Sequence, residues 1–224
     1  MGALHVGHMS LVKESKAQND ITIVSIFVNP AQFAPHEDLA KYPRPIELDQ
    51  EMLITEGVDY LFHPEPPEIY PDGYKTYVTV NDLSDVLEGK TRPGHFSGVA
   101  TVVTKLFNIV CPTNTYFGQK DLQQFLVVKK LIKDLNMPVN LVMMAIVRES
   151  DGLALSSRNV YLSVEERKDA LALSQSLKLA QKLIGEGEKD AGVIKSEMKK
   201  YIESDGSLKI DYIAICDTED LSFA

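Results

Sequence analysis

The sequence predicts an α/β fold, with a doubly wound parallel sheet followed by a smaller α+β domain at the C-terminal end. Over the first 147 residues, short apolar and β-branched segments alternate with helical patterns. That alternation is typical of βαβ units with parallel strands. From residue 148 onward, two helical patterns precede a single apolar segment. We therefore predict a first domain over 1–147 and a second over 148–224.

The elements of the first domain follow from apolar runs and from their start and stop signals. The run 21–28 is nearly continuous and β-branched, which predicts a central strand buried on both faces and ended by Asn29-Pro30. Pro45 suits a first helical position, so a helix is predicted from there to Gly57. The other predicted strands are 58–62, 77–80, 115–117 and 139–147, and the other predicted helical segments are 8–16, 82–87, 98–110 and 121–135.

The second domain opens with a helix-start signal. Ser163 and Glu166 form a capping box, which predicts a helix reaching about residue 184. A helix over 191–203 and an apolar strand over 208–216 follow. In such a fold the opening turn at Met1 should follow a first central strand, and Ala224 comes shortly after a strand. We therefore expect a piece without its first strand and without the end of its second domain.

Composition excludes several classes of function. The net charge of −9 opposes nucleic-acid binding through a broad basic surface. The same net charge is compatible with a small phosphate site, which needs only a few cations and backbone donors. No apolar run approaches the roughly 20 residues of a membrane span, and the pattern of the first residues is not that of a signal peptide. Cys111 and Cys216 lie in apolar surroundings and are predicted to be reduced and buried, which favours a cytoplasmic protein.

The histidine turn His5-Val6-Gly7-His8 is the first candidate site. Two histidines three positions apart at the start of a helix are expected to project to the same side. Gly7 allows close approach of a ligand, and unpaired N–H groups at a helix N-terminus favour a phosphate. Two alternatives remain open at this point: an ordinary surface turn, or a zinc pair for which no third ligand lies nearby in the sequence.

A second cluster, Phe117-Gly118-Gln119-Lys120-Asp121, lies where a predicted strand meets a predicted helix. Ligands of open α/β sheets bind at the carboxyl ends of strands, so Lys120 is a candidate cation for phosphate oxygens. Asp121 could equally be an N-cap, and a capped surface turn explains the cluster as well as a binding site does.

The third cluster, Leu155-Ser156-Ser157-Arg158-Asn159, places two hydroxyls beside a guanidinium, a combination that binds polyphosphates well. A polar interdomain loop is the alternative. The amides Asn29, Gln32 and Gln124 fall near the same predicted sheet edge and suit recognition of hydroxyls and carboxylates. The alternative is that they are ordinary polar side chains at the protein surface. No Walker loop and no G-x-G-x-x-G motif is present, so a bound nucleotide is expected to use the histidine turn.

Taken together, these stretches resemble the pantoate–β-alanine ligase (pantothenate synthetase) family. The matching stretches run in the family's order and cover nearly the whole chain. They are MGALHVGH from Met1, SIFVNPAQF from Ser25, YPR from Tyr42, RPGHFSGV from Arg92, FGQKDLQQ from Phe117 and SSRN from Ser156. The sequence departs from the family at Leu155, where methionine is common.

The resemblance implies a Rossmann-like domain over 1–147 that binds ATP and pantoate, a C-terminal lid over 148–224, and a homodimer. It also implies the reaction of ATP, pantoate and β-alanine to AMP, pyrophosphate and pantothenate through a pantoyl adenylate. Mg²⁺ would accompany ATP, with no protein ligands assigned. Two alternatives stay open: another nucleotidyltransferase with the same histidine turn, and a non-catalytic binding fragment.

The resemblance also implies roles for individual residues. The catalytic residues would be His5, His8 and Lys120, with His8 as the proton donor. Gln32 and Gln124 would bind pantoate, with Gln32 also close to β-alanine and Asn29 in the same amide group. The ATP contacts would be Met1, Gly2, Ala3, Leu4, His5, Gly7, His8, Gly118, Gln119, Lys120, Asp121, Val147, Leu155, Ser156, Ser157 and Arg158.

Overall fold

The computed structural model describes residues 1–204, 206 and 208–224, and its contacts divide the chain into two units, Met1–Val147 and Arg148–Ala224. The helices of the first unit are α1 (Val6–Gln18), α2 (Ile46–Thr55), α3 (Pro66–Ile69), α4 (Glu88–Thr91), α5 (His95–Val110) and α6 (Leu122–Asp134). Its strands are β1 (Ile23–Ser25), β2 (Tyr60–Phe62), β3 (Asn114–Gly118) and β4 (Asn140–Met144). Short 3-10 turns span Pro30–Gln32, Asp38–Ala40 and Gln119–Asp121.

The strands pair in parallel, as the sequence predicts. β1 pairs with β2, with Ile23 opposite Tyr60, and β3 pairs with β4, with Asn114 opposite Asn140. Each parallel pair requires a crossover, and the crossovers contain α2 and α6. The prediction of an α/β fold built from parallel strands is therefore confirmed.

Two apolar regions hold the first unit together. Met9 and Val12 of α1 pack with Ile26 and Leu53, which joins α1 and α2 to the strand pair β1–β2. The prediction that 98–110 forms a largely buried helix is confirmed, since α5 has buried residues around most of its circumference. They are Phe96, Gly98, Val99, Ala100, Thr101, Val102, Val103 and Phe107.

The prediction of one strand over 21–28 buried on both faces is only partly right. Ile21 and Ile23 are 59% and 40% exposed, whereas Thr22, Ile26 and Phe27 are buried. β1 starts late because the Thr22 N–H donates to the side chain of Asp59 at 2.8 Å rather than to a neighbouring strand. Asn29-Pro30 ends the run as predicted, by starting a 3-10 turn.

The predicted strand at 77–80 is wrong. Residues 77–80 pair with no strand among the described residues, and Val78 bonds instead to side chains of α5: the Val78 N–H donates to Thr101 Oγ1 at 2.9 Å, and Ser97 Oγ donates to the Val78 carbonyl at 3.3 Å. The predicted burial of the cysteines is also wrong. Cys111 is exposed because it caps the C-terminal end of α5, and Cys216 is half-buried.

The second unit contains a 3-10 turn at Ser157–Tyr161 and two helices, α7 (Val164–Gly185) and α8 (Ala191–Ile202). The predicted capping box is confirmed: the Glu166 N–H donates to Ser163 Oγ at 3.1 Å, and the Ser163 N–H donates to Glu166 Oε2 at 2.8 Å. α8 buries Ile194, Met198 and Ile202, which are spaced by four residues and so lie on one face.

The predicted strand at 208–216 is wrong for the residues described there. Its last residue, Cys216, forms one isolated antiparallel bridge with Phe223, and the Ala224 N–H donates to the Ile215 carbonyl at 3.0 Å. An apolar run supplies strand propensity, but a strand also needs a neighbouring backbone to pair with. Among the helices within the described ranges, none combines the length and apolarity needed to cross a membrane.

Candidate active site

The turn that precedes α1 has an unusual backbone, held by one buried carboxylate. Gly2 and Ala3 both have positive φ angles, 85° and 49°. Asp49 of α2 is 2% exposed, and it accepts the N–H of Ala3 at 2.8 Å and the N–H of Leu4 at 2.7 Å. A Cβ at Gly2 would lie 3.1 Å from both Asp49 Oδ2 and a side-chain carbon of Ile26. The turn is therefore packed tightly against the end of β1.

The two histidines lie on the same side of this turn, as predicted from their spacing. Their ring centroids are 3.9 Å apart, and the His5 N–H donates to His8 Nδ1 at 3.3 Å. Burial lowers the pKa of His8 to about 3, and the nearby charges of His5 and Lys120 act in the same direction. His8 is therefore neutral at pH 7. Because its Nδ1 accepts a hydrogen bond, its proton sits on Nε2, which is a donor.

The backbone N–H groups just before the first turn of α1 are bonded within the protein. Ala3 and Leu4 donate to Asp49, and His5 donates to His8. The predicted N–H donors of the helix N-terminus belong to the first turn, which begins at Val6, and stay a prediction. The His8 side chain supplies a further donor at this place. In the part of the chain that the structure describes, no three His, Cys, Asp or Glu side chains are grouped to hold a metal ion.

Hydrogen bonds hold the C-terminal end of α1 beside β3, the strand that leads to Lys120. At the C-terminal end of α1, Asn19 Nδ2 donates to Tyr116 Oη at 2.8 Å, and Asn114 Nδ2 donates to Asn19 Oδ1 at 2.7 Å. This end of the helix therefore lies at the start of β3. The 13 residues of α1 span about 20 Å, similar to the distance from the start of β3 to Lys120. The charge of Lys120 accordingly acts on His8.

The turn Gly118–Asp121 leaves room for a ligand at the carboxyl end of β3. Gly118 has an ordinary φ of −79°, and a Cβ built on it would meet no described atom within 4 Å. Lys120 is exposed and lies 3.2 Å from Asp121 Oδ1, an exposed pair of the kind that contributes little to stability. Gln119 is exposed as well. Asp121 occupies the N-cap position of α6, but within the described residues its side chain makes no capping hydrogen bond.

Asn29 lies behind the site rather than facing a ligand. It is 1% exposed, and its Nδ2 donates to Gln32 Oε1 at 3.0 Å and to the Gly98 carbonyl at 3.1 Å. Its Oδ1 accepts the Ala31 N–H at 3.3 Å and the Tyr70 hydroxyl at 2.8 Å. Both donors and both acceptor positions of the amide are occupied. The expected direct contact between Asn29 and a substrate is therefore replaced by a contact with Gln32.

Gln32 connects this amide pair to the histidine turn. Its Nε2 donates to Met1 Sδ at 3.3 Å, and a thioether is a weak acceptor that a better one can replace. Gln124, in the first turn of α6, is half-buried, and its side chain makes no hydrogen bond in the described parts of the chain. Its neighbour Gln123 has a structural role, since it donates to the carbonyls of Leu83 and Val86 at 2.9 and 2.8 Å.

Sequence reasoning assigned no role to a network that holds the backbone of Gln32. His95 Nδ1 donates to the Gln32 carbonyl at 2.9 Å, so its Nε2 accepts from Arg92 Nη1 at 3.3 Å. The same arginine forms two 2.8 Å hydrogen bonds with Glu37, which lower the pKa of that carboxyl. This network ties the segment that follows Gln32 to the start of α5.

Asp49 was also missed, although the sequence carries a signal for it. In α2 it stands between Ile46 and Leu53 at a spacing of three and four residues, on the apolar face of the helix. A carboxylate on such a face must find buried partners. What the sequence does not reveal is that its partners are N–H groups 45 and 46 residues away.

The remaining predicted nucleotide contacts lie elsewhere in the chain. Val147 is half-buried and follows β4 at the end of the first unit. Leu155, Ser156, Ser157 and Arg158 are half-buried residues of the second unit. Within that loop, Ser156 Oγ accepts the Arg158 N–H at 3.3 Å, which caps the 3-10 turn.

Comparison with known proteins agrees with the predicted family. The profile of the family described as Pantoate-beta-alanine ligase matches residues 1–224. A pantothenate synthetase of Thermosipho africanus is 60% identical over 99% of this chain and 79% of its own length. One from Thermotoga petrophila is 56% identical over the same shares of the two chains.

Solved structures show the same likeness. The crystal structure of pantothenate synthetase from Thermus thermophilus matches with a TM-score of 0.97 and 45% identity, covering 100% of this chain and 81% of that one. A pantoate-β-alanine ligase from Francisella tularensis, complexed with β-γ ATP and β-alanine, matches with a TM-score of 0.78 and 38% identity. It covers 90% of this chain and 75% of that one. This chain therefore belongs to the pantoate-β-alanine ligase family.

Proposed function

We propose that this chain ligates pantoate to β-alanine with ATP, giving pantothenate, AMP and pyrophosphate through a pantoyl adenylate. The observation that carries the proposal is the histidine turn, in which the His5 N–H donates to His8 Nδ1 and leaves Nε2–H as a donor, with the charge of Lys120 acting on the same ring. Gln32 reaches the same turn through Met1. The family supports the identity of the substrates.

In the first step, the pantoate carboxylate attacks the α-phosphorus of ATP and pyrophosphate leaves. Lys120 neutralises charge that spreads over the phosphates, and His8 donates its Nε2 proton in a hydrogen bond to an oxygen that gains charge. His5 keeps His8 in the required tautomer through its N–H. Gln32 and Gln124 hold pantoate, with Asn29 acting through Gln32 rather than directly.

In the second step, the β-alanine amine attacks the acyl carbon of the adenylate and AMP leaves. No protein nucleophile is needed, so positioning and exclusion of water provide most of the rate. The nucleotide contacts in this proposal are Met1 to Leu4, Gly118 to Asp121, Val147 and Leu155 to Arg158. The open space at Gly118 supports this assignment, because a ligand can approach the backbone there.

Mg²⁺ is proposed to arrive with ATP and to be held mainly by phosphate oxygens. The buried carboxylate of Asp49 is already engaged by two N–H groups and does not suit a metal. We further propose a homodimer that works in the cytoplasm. Sedimentation velocity of the purified chain tests the dimer, and a single species with the mass of one chain would contradict it.

The test of the function is pantoate-dependent exchange of pyrophosphate into ATP, followed by pantothenate formation when β-alanine is added. We expect His8→Ala to reduce exchange by roughly 10²-fold or more, as typical for loss of a preorganised donor. His36→Ala, which removes an exposed histidine, is the matched control and should keep the rate. Exchange that does not depend on pantoate would refute the proposal.

Two further measurements separate the alternatives. If the chain is another nucleotidyltransferase, Gln32→Ala will leave its turnover unchanged, because its acceptor would bind elsewhere. If the chain is a non-catalytic binding fragment, calorimetry will detect no ATP binding at millimolar concentrations.

A further inference from the structure

One arginine of α7 holds the loop that contains Leu155–Arg158. Arg167 Nη1 donates to Glu149 Oε1 at 3.2 Å, and its Nη2 donates to Glu149 Oε2 at 2.8 Å. The same Nη2 donates to Asp151 Oδ2 at 2.7 Å. A guanidinium that binds one carboxylate through both nitrogens fixes that carboxylate in orientation as well as in position.

Glu149 in turn fixes both ends of this loop. Its Oε1 accepts from Asn159 Nδ2 at 3.3 Å, and the same amide donates to the Ala154 carbonyl at 3.1 Å. Ala154 directly precedes Leu155, and Asn159 directly follows Arg158. The Asn159 amide therefore joins the two ends of the four-residue loop, and the Glu149 carboxylate holds that amide.

The hairpin before the loop is fixed by the same group of residues. Arg148 and Ala154 form an antiparallel bridge, and the Glu149 N–H donates to the Leu153 carbonyl at 2.8 Å. Asp151 Oδ1 accepts the Leu153 N–H at 3.0 Å while its Oδ2 binds the arginine. Leu153 is 7% exposed, so the hairpin is anchored by an apolar side chain as well.

We propose that Arg167 is a positioning residue, which acts through Glu149, Asp151 and Asn159 to shape Leu155–Arg158 for a polyphosphate. This inference rests on the proposed function, which assigns that loop to the nucleotide. The side chains of Arg167 and its two carboxylates are each about one-third exposed, so their ion pairs contribute little to stability. The benefit of the arrangement is geometric, since the planar fork of arginine cannot be reproduced by lysine.

The test is Arg167→Lys, which keeps the charge and removes the fork. We expect the KM for ATP to rise by roughly tenfold or more, with the KM for pantoate changed by less than about twofold, since misplacement affects only the phosphate contacts. Hydrogen exchange of the backbone amides at 153–159 should become faster. Lys168→Ala, at an exposed neighbouring position on α7, is the control and should change none of these quantities.

Arg158→Ala separates this inference from the assignment of the loop. We expect it to raise the KM for ATP, and we expect the double variant Arg158→Ala/Arg167→Lys to be no worse than Arg158→Ala, because both changes disable the same contact. An effect of Arg158→Ala alone, with a normal Arg167→Lys, would overturn the positioning role and leave the proposed function intact. Effects that multiply in the double variant would also overturn it. An unchanged KM for ATP in Arg158→Ala would remove the loop from the nucleotide site and the inference with it.

Discussion

Asp49→Asn tests whether one buried carboxylate shapes the turn that carries the histidines. Each oxygen of Asp49 accepts one backbone N–H, from Ala3 at 2.8 Å and from Leu4 at 2.7 Å. Asparagine has nearly the same size, but one of its two terminal atoms is an NH₂ group that cannot accept. One N–H of the turn therefore loses its acceptor and faces another donor.

The size of the effect follows from the burial of Asp49. The residue is 2% exposed, so water cannot readily take the place of the lost acceptor. Leaving a buried polar group unsatisfied costs about 1–3 kcal/mol, and the remaining bond also loses its ionic character. Gly2 and Ala3 have positive φ angles, so a turn that relaxes from this strained backbone would carry His8 with it. A displacement of about 1 Å in a catalytic group can cost roughly 10²-fold in rate.

We therefore expect Asp49→Asn to lower the free energy of unfolding by about 2 kcal/mol and to reduce pantoate-dependent pyrophosphate exchange by roughly 10- to 100-fold. Urea unfolding measures the first effect and isotope exchange the second. Glu47→Gln makes the same chemical change at an exposed position of α2 and should alter neither. Wild-type unfolding and exchange in Asp49→Asn would refute the reasoning. A loss of stability with full exchange would restrict Asp49 to a role in folding.

Three further predictions test the packing around two glycines, the hydrogen bonds that link Tyr70 to Gln32 through Asn29, and the ionisation of His8. Gly98→Ala should lower the free energy of unfolding by roughly 1–3 kcal/mol, because its Cβ would lie 2.2 Å from a backbone oxygen. Gly118→Ala, where the added Cβ meets no described atom, should keep the melting temperature and raise the KM for ATP. The reverse pattern would contradict the packing role of Gly98 and the ligand-facing role of Gly118. Tyr70→Phe removes the hydrogen bond to Asn29, so the KM for pantoate should rise about fivefold while the KM for ATP stays unchanged. An unchanged KM for pantoate would contradict the proposal that Asn29 acts on the substrate through Gln32. Burial lowers the pKa of His8 from 6.5 to about 3, so the folded state binds fewer protons in this range and the wild type should lose stability relative to His8→Gln as pH falls from 6.5 toward 3. Parallel plots of melting temperature against pH for the two proteins would contradict a neutral His8.

The helices could be predicted more reliably than the strands because their hydrogen bonds are local. The capping box at Ser163 and Glu166, the apolar face of α8 and the buried residues of α5 are all read from neighbours a few positions apart. The segments 77–80 and 208–216 have the composition of strands but pair differently. A strand forms only beside another backbone, and the sequence of a segment does not show which backbone will lie next to it.

The candidate site divides in the same way. The histidine pair could be predicted because three residues of spacing place both rings on one side of a helix. The group that accepts the N–H bonds of the turn could not be predicted, since Asp49 lies more than 40 residues away in the sequence. The sequence suggested Asn29 as a substrate contact, but no sequence pattern shows that all four of its hydrogen bonds are made within the protein.

Hydrogen-bond capacity therefore separates the residues that shape this site from those that act on a ligand. Asn29 and Asp49 are buried and use their polar atoms on the protein, so they have little left for a substrate. By contrast, His8 keeps a donor at Nε2, and Lys120 is paired only with an exposed carboxylate in the residues described. A buried polar group that loses its partner costs stability, whereas an exposed one does not. Substitutions of the first kind should therefore lower stability and rate together, and Lys120→Ala should lower the rate alone.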